Sequence, residues 1–244
     1  MTSLSPAARR ARRWAIAGGA ILLAGIIAII IVAVSNQRPP QTVPAETPNS
    51  SPSSTPVSAD PTDAVVDAGA EENGWRTEPI TADAELYAAA ALEAAATFDT
   101  TKASRDEWLA YLDSWFTPDT RYSSESDQLG RMQAAQLEMR QGVVLPEQEW
   151  DSLAAEDGRV AAEARGVVTG PVTDDTSGDM AIATGDVVLT FTRTDGAGGE
   201  SSFEESVRVS VQVLCGPGSV PTPDSAQQAG DCKVVRFFTE PVEP

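Results

Sequence analysis

Apolar and polar positions in this chain follow three successive regimes. The first is an unbroken apolar run from Ala15 to Val34, AIAGGAILLAGIIAIIIVAV, with no charged side chain. At about 1.5 Å per helical residue, a run of this length spans roughly the 30 Å hydrocarbon core of a bilayer, so it predicts a transmembrane helix. The second regime, from Asn36 to about Asp63, has no periodicity. Pro39, Pro40, Pro44, Pro48, Pro52, Pro56 and Pro61 recur among Ser, Thr and Gln. Such a segment has nothing to bury and favours an extended spacer. Acidic, Gly-containing sequence then continues to Glu78, with Trp75 as its one large apolar residue.

The third regime reads as helices followed by strands. After an N-cap at Thr81 or Asp83, Tyr87, Ala91, Ala94 and Phe98 recur at i, i+4, i+7 and i+11, which predicts an alanine-rich helix through Phe98. Ser104 and Glu107 then form a capping box. Trp108, Tyr111, Leu112, Trp115 and Phe116 follow at i, i+3, i+4, i+7 and i+8, an amphipathic helix with an aromatic face that Pro118 ends. An aromatic stripe of such regular spacing reads as core before it reads as a ligand pocket. Leu129, Met132 and Met139 mark a weaker stripe within Ser124–Gln141, a third helix whose amide-rich surface is a candidate partner contact. A short acidic helix over Glu149–Glu156 completes the helical half.

From Gly158 the period becomes two. Strands are expected over Gly158–Gly170, Met180–Arg193, Phe203–Leu214 and Cys232–Thr239. Asp174–Asp179 forms a turn and Asp195–Gly199 a hairpin loop. The acidic turn lacks the aspartate spacing and distal glutamate of a calcium loop. If the last two strands pair antiparallel, Cys215 and Cys232 face each other at the mouth of the loop between them, and a disulfide is expected.

Charge and composition add orientation and exclusions. Arg9, Arg10, Arg12 and Arg13 precede the apolar run, and residues 1–14 carry no acidic side chain. Basic residues stay on the cytoplasmic side, which puts the N-terminus inside and the remainder outside. A cleaved signal peptide is the alternative, with Ala33-Val34-Ser35 as its small-x-small site, but the apolar run is longer than the usual apolar core of such peptides. Beyond Val34 stand 13 basic against 36 acidic residues, a net −23. That charge repels phosphates, so direct nucleic-acid binding is not expected. The chain has no histidine, which excludes Ser-His-Asp and Cys-His nucleophilic sites and histidine-ligated metals.

One N-in helix, a proline-rich spacer, an alanine-rich helix, the pattern Ser104-x-x-Glu107-Trp108-Leu109-x-x-Leu112 with Pro118 after it, and antiparallel strands resemble a bacterial group. These are membrane-anchored proteins with a nuclear-transport-factor-like (cystatin-like) cone domain. The layout is similar to scaffold subunits of conjugative type IV secretion systems in Gram-positive bacteria, and to membrane proteins associated with mammalian-cell-entry lipid transporters. The resemblance implies an α+β fold with helices on a curved antiparallel sheet of about four strands. It implies a division into a basic tail (1–14), a transmembrane helix (15–34), a linker (35–78) and an extracytoplasmic domain (79–244). Functionally it implies a non-enzymatic, single-pass scaffold without a cofactor, contacting envelope proteins and forming homo-oligomers. A binding module for a small molecule or lipid in the hollow of the cone is the alternative. Cone-fold isomerases use an Asp base with Tyr or Asp donors. Tyr87 and Tyr111 are present here, but no Asp stands at an identifiable inward strand position.

Overall fold

The computed structural model describes residues 64–242. The basic tail, the apolar span 15–34 and linker residues 35–63 lie outside the described residues. Four helices pack on a curled antiparallel sheet that forms a half-barrel, an α+β architecture. The elements are α1 (Ala84–Ala94), β1 (Phe98–Asp99), α2 (Arg105–Asp113), α3 (Glu125–Gly142), α4 (Glu147–Ala154), β2 (Arg159–Pro171), β3 (Met180–Thr194), β4 (Glu200–Leu214) and β5 (Lys233–Phe238). Strands neighbour one another in chain order. The sheet therefore has five strands rather than the expected four.

The extra strand comes from residues that the helical period had claimed. α1 starts where Asp83 accepts the backbone N–H groups of Glu85 and Leu86, but it stops at Ala94. Phe98 and Asp99 pair with Val160 and Arg159 of β2. The Thr97 hydroxyl donates back to the Glu93 carbonyl, and its oxygen accepts the Ala162 N–H of β2. Tertiary pairing at the sheet edge thus overrides the local period. Ala88, Ala90, Ala91 and Ala94 are buried. These small side chains let the α1 backbone lie close on the strands.

α2 begins at the expected capping box. Ser104 accepts the Glu107 N–H, and the Glu107 carboxylate accepts the Ser104 N–H at 2.8 Å. Those bonds hold the Glu107 carboxyl below its usual range. The helix ends at Asp113, five residues before Pro118. β5 captures the chain instead: Val234 N–H donates to Trp115 O at 2.9 Å and Thr117 N–H to Val234 O at 2.8 Å. Trp115 and Phe116 are thus buried from beyond the helix, and Phe116 meets Phe237.

β2, β3 and β4 match the period-two reading closely. β3 and β4 pair without a break from Met180↔Leu214 to Thr194↔Glu200. β2 carries a bulge between Arg165 and Val168. Gly166 takes the required positive φ of 58° there, a backbone state that other residues adopt only with strain.

The domain begins before residue 79. Val65 bridges Pro79, a 3₁₀ turn covers Ala68–Glu71, and Trp75 stacks on Tyr111 at 4.9 Å. Glu78 is fully buried. Residues 64–78, placed in the linker by composition, are part of the packed domain. Their charged and glycine-rich text hides that role because the contacts they make lie distant in sequence.

Cys215 and Cys232 form the expected disulfide. Leu214 pairs with Lys233, which brings the two cysteines face to face at the end of the ladder. With a sequence separation of 17, the chain-entropy relation gives about 3 kcal/mol of stabilisation. Replacing both cysteines by serine is expected to lower the urea unfolding free energy by about that amount. The native protein is expected to resist thiol labelling until reduced, and labelling of both cysteines without reductant would sink this.

Candidate functional site

The curl of the sheet leaves a hollow on its helix-bearing face, of about 340 Å³. Its floor follows from strand alternation. Val187, Leu189 and Phe191 of β3 stand at every second position, as do Val207 and Val209 of β4, with Val160 on β2. Leu92, Ala95 and Ala96 at the end of α1 close one side. The α3–α4 connection from Val143 to Pro146 forms the opposite rim. Gly142 opens that connection. A Cβ there would stand 2.4 Å from Cγ2 of Thr239 just past β5, so only glycine lets the rim approach β5. The lining is aliphatic and aromatic, with Glu205 and Gln141 as its polar side chains.

The hollow continues onto an uncovered stretch of sheet. Phe203 and Val207 are 39% and 41% exposed. Phe203 stacks on Phe191 with ring centroids 4.9 Å apart. An apolar wall of this kind, partly covered and partly open, is suited to hold apolar groups of another molecule.

A second constellation lies inside the core. Lys233 Nζ donates to Glu78 Oε1 at 2.8 Å, to Ser114 O at 2.7 Å and to Thr222 Oγ1 at 2.7 Å. The Tyr87 hydroxyl donates to the same Glu78 oxygen at 2.6 Å, and Gln227 Nε2 at 3.2 Å. Lys233 and Glu78 are 1% and 0% exposed. Burial pushes the Glu78 carboxyl up, and the Lys233 ammonium beside it holds it back. Burial also lowers the Lys233 ammonium, against the pull of Glu78. The Tyr87 hydroxyl is raised well above its ordinary value by burial and by Glu78. Perturbed groups can mark functional sites, but this set fastens Glu78, the α2 end, β5 and the Cys215–Cys232 loop to one another. It is a structural clamp.

The sequence-selected residues fall into that frame as core. Trp108 lies against Phe98 at 4.9 Å and Trp150 at 5.5 Å. Trp115 meets Tyr87 at 5.8 Å and Tyr111 at 6.0 Å, and Leu112 is buried. The Tyr111 hydroxyl donates to Arg76 O at 2.8 Å. Both tyrosine hydroxyls are thus engaged within the domain, and neither residue lines the hollow. α3 lies across β5, where Glu138 holds Arg236 through paired bonds of 2.9 Å. It leaves Leu129 and Leu137 exposed.

Sequence reasoning missed Lys233 and Glu78. One signal for Lys233 was available: it is one of two lysines, and it heads an apolar strand. Glu78 offered none. Among the described residues no group of histidine, cysteine, aspartate or glutamate could hold a metal ion, and no helix is long and apolar enough to cross a membrane.

The fold and site define an α+β half-barrel domain with an apolar hollow on its concave side. No family model matches the chain, and neither a curated protein nor a solved structure matches it significantly.

Proposed function

We propose that this chain is a non-enzymatic scaffold of a bacterial cell-envelope transport or conjugation machine. Residues 15–34 anchor it once in the membrane with the N-terminus cytoplasmic, and the α+β domain works on the far side. The domain engages envelope proteins, further copies of itself among them, through its concave face. The observation that carries this reading is the hollow lined by Val187, Leu189, Phe191, Val207 and Val209 and continued by the exposed Phe203. Its chemistry offers apolar cover to a partner. The arginine-flanked apolar run and the proline-rich spacer support the tethered arrangement, and the disulfide fits an oxidising compartment.

The second reading is a binding module for a lipid or small apolar molecule, favoured by the aliphatic lining and the size of the hollow. One experiment separates the two. A photoreactive residue replaces Leu145 on the rim in the full-length protein, in its own cell, with a control at exposed Thr169 on β2. Adducts from position 145 with a secretion ATPase, another envelope subunit or a second copy are expected, and none from 169. Recovery as a monomer carrying lipid would sink the scaffold and establish the second reading.

A further inference from the structure

We propose that a pocket between α3 and β5 binds the carboxylate of an N-acylated amino acid with a small apolar side chain, the group that ends a peptide chain, and that Arg131 is its charged partner. This goes beyond the scaffold reading, since the pocket shares no lining residue with the hollow.

Helical and strand spacing build the pocket. Arg131, Ala135 and Glu138 stand at i, i+4 and i+7 on α3, one face of the helix. Ala135 is buried, so that face lies close on the sheet, and Glu138 holds Arg236 of β5. Gln212 of β4 is the register partner of Arg236, and directly paired residues share a face of the sheet. The segment before α3 brings Asp119, Arg121 and Tyr122 to the same opening. The space has a volume of about 170 Å³, below the roughly 300–1,000 Å³ of sites for drug-sized molecules. It suits one small residue.

Its charge singles it out. The other described arginines are each held by a carboxylate or, for Arg105, by the Leu145 carbonyl. The Arg131 side chain has no hydrogen bond or ion pair among the described residues, and its guanidinium lies over the Tyr122 ring at 4.9 Å. The two carboxylates of the pocket are already taken. Asp119 accepts from Arg121 with both oxygens, and Glu138 from Arg236 with both. Three guanidiniums against two carboxylates leave one positive charge, at Arg131. That selects a monoanion, because Asp119 and Glu138 oppose a second negative charge, and the guanidinium fork matches a carboxylate. The rest of the ligand follows from its surroundings. Arg236 gives Nε and Nη2 to Glu138 and has Nη1 to spare. Gln212 is 3% exposed and gives Nε2 to Met180 Sδ. Its Oε1 has no hydrogen-bond partner among the described residues and is an acceptor for an N–H beside the carboxylate. Buried Val235 and half-buried Met132 supply an apolar wall. A carboxylate, an adjacent amide N–H and a small apolar side chain are the end of a peptide chain or a free N-acyl amino acid.

The test uses full-length protein in detergent micelles at low ionic strength, with binding read by isothermal titration calorimetry. The probes are acetyl-valine, acetyl-valine amide, acetyl-Gly-Ser-Gly-Val with a free terminal carboxylate, and inorganic phosphate. The two acids are expected to bind saturably, and the amide and phosphate at least about tenfold more weakly. Arg131→Gln should weaken the acids by at least about tenfold. Its urea midpoint should stay close to wild type, because the exposed side chain makes a ring contact and no ion pair. Arg165→Gln on β2, which removes an exposed arginine elsewhere, should leave binding unchanged. Tighter binding of the tetrapeptide than of acetyl-valine assigns the pocket to a chain terminus. Equal or weaker binding assigns it to a free acid, and both support the site. No saturable binding of either acid, equal binding of acid and amide, or phosphate bound as tightly as the acids would overturn the proposal. So would undiminished binding by Arg131→Gln, or an equal loss in Arg165→Gln. None of these outcomes bears on the position-145 adducts, so the scaffold reading fails or stands separately.

Discussion

Lys233→Ala is expected to cost about 3–5 kcal/mol of unfolding free energy, because it leaves the fully buried Glu78 carboxylate without its ammonium partner. A domain of this size commonly has a total stability of about 5–15 kcal/mol, so the loss is a large fraction of what holds it together. The Tyr87 and Gln227 bonds remain but cannot neutralise the charge. Glu78 Oε2 has no hydrogen-bond partner among the described residues even in the intact clamp. The sign of the pH dependence follows from the direction of the shift. Burial already raises the Glu78 carboxyl, and removing Lys233 removes the main opposing cause, so it rises further. A group whose folded value is raised contributes most when protonated, below its unfolded value near 4.5. The deficit of Lys233→Ala should thus be smallest near pH 4 and grow as pH rises through the raised value. The pair Glu78→Gln/Lys233→Met should recover most of the loss, since neutral groups of similar volume often replace a buried ion pair without penalty. Urea unfolding of the three variants at several pH values measures this. A loss under about 1 kcal/mol for Lys233→Ala would show that water reaches the pair.

The second large effect is expected at Trp108. Its indole is fully buried between Phe98 and Trp150, and those two rings are themselves 4.2 Å apart. The cluster joins α2, α4 and the two-residue strand β1 on one side of the sheet. Trp108→Ala opens a cavity among three elements and should cost about 3–5 kcal/mol. Trp108→Phe should lose less than half as much. It keeps aromatic contact and removes an indole N–H that has no hydrogen-bond partner among the described residues. Thermal or urea unfolding of both variants checks the ranking. Equal losses would mean that the nitrogen has a partner and that the ring size is not what matters.

Both effects sit on residues of unequal legibility. Trp108 could be read as core from spacing alone, because Trp108, Leu112 and Trp115 recur with the helical period and the capping box at Ser104 fixes where that period starts. Lys233 could not. The alternation of β5 assigns it a face without saying that Glu78, 155 positions earlier, would arrive to neutralise it. The same limit applies at both ends of α2. Its start is local, set by one serine and one glutamate three residues on. Its end is set by β5, which draws Trp115–Thr117 into backbone pairing before Pro118 is reached. Phe98 fits the α1 stripe, yet the free edge of β2 competes for its backbone, and the edge prevails because it satisfies groups that a longer α1 would leave open.

The sequence by itself determined the order of regimes, the class of the domain, the strands from Gly158 to Leu214 and the cysteine pairing. Each depends on periodicity, on caps and turns acting within a few residues, or on pairing across one adjacent loop. Only the tertiary structure decided the fifth strand, the inclusion of 64–78, the Glu78–Lys233 clamp and the hollow. Those depend on which backbone groups and side chains distant segments bring together, and on where β5 stops. A strand of fifteen residues lies beside one of six that pairs with only its Ser210–Leu214 end, and neither strand's own residues record that the other is short.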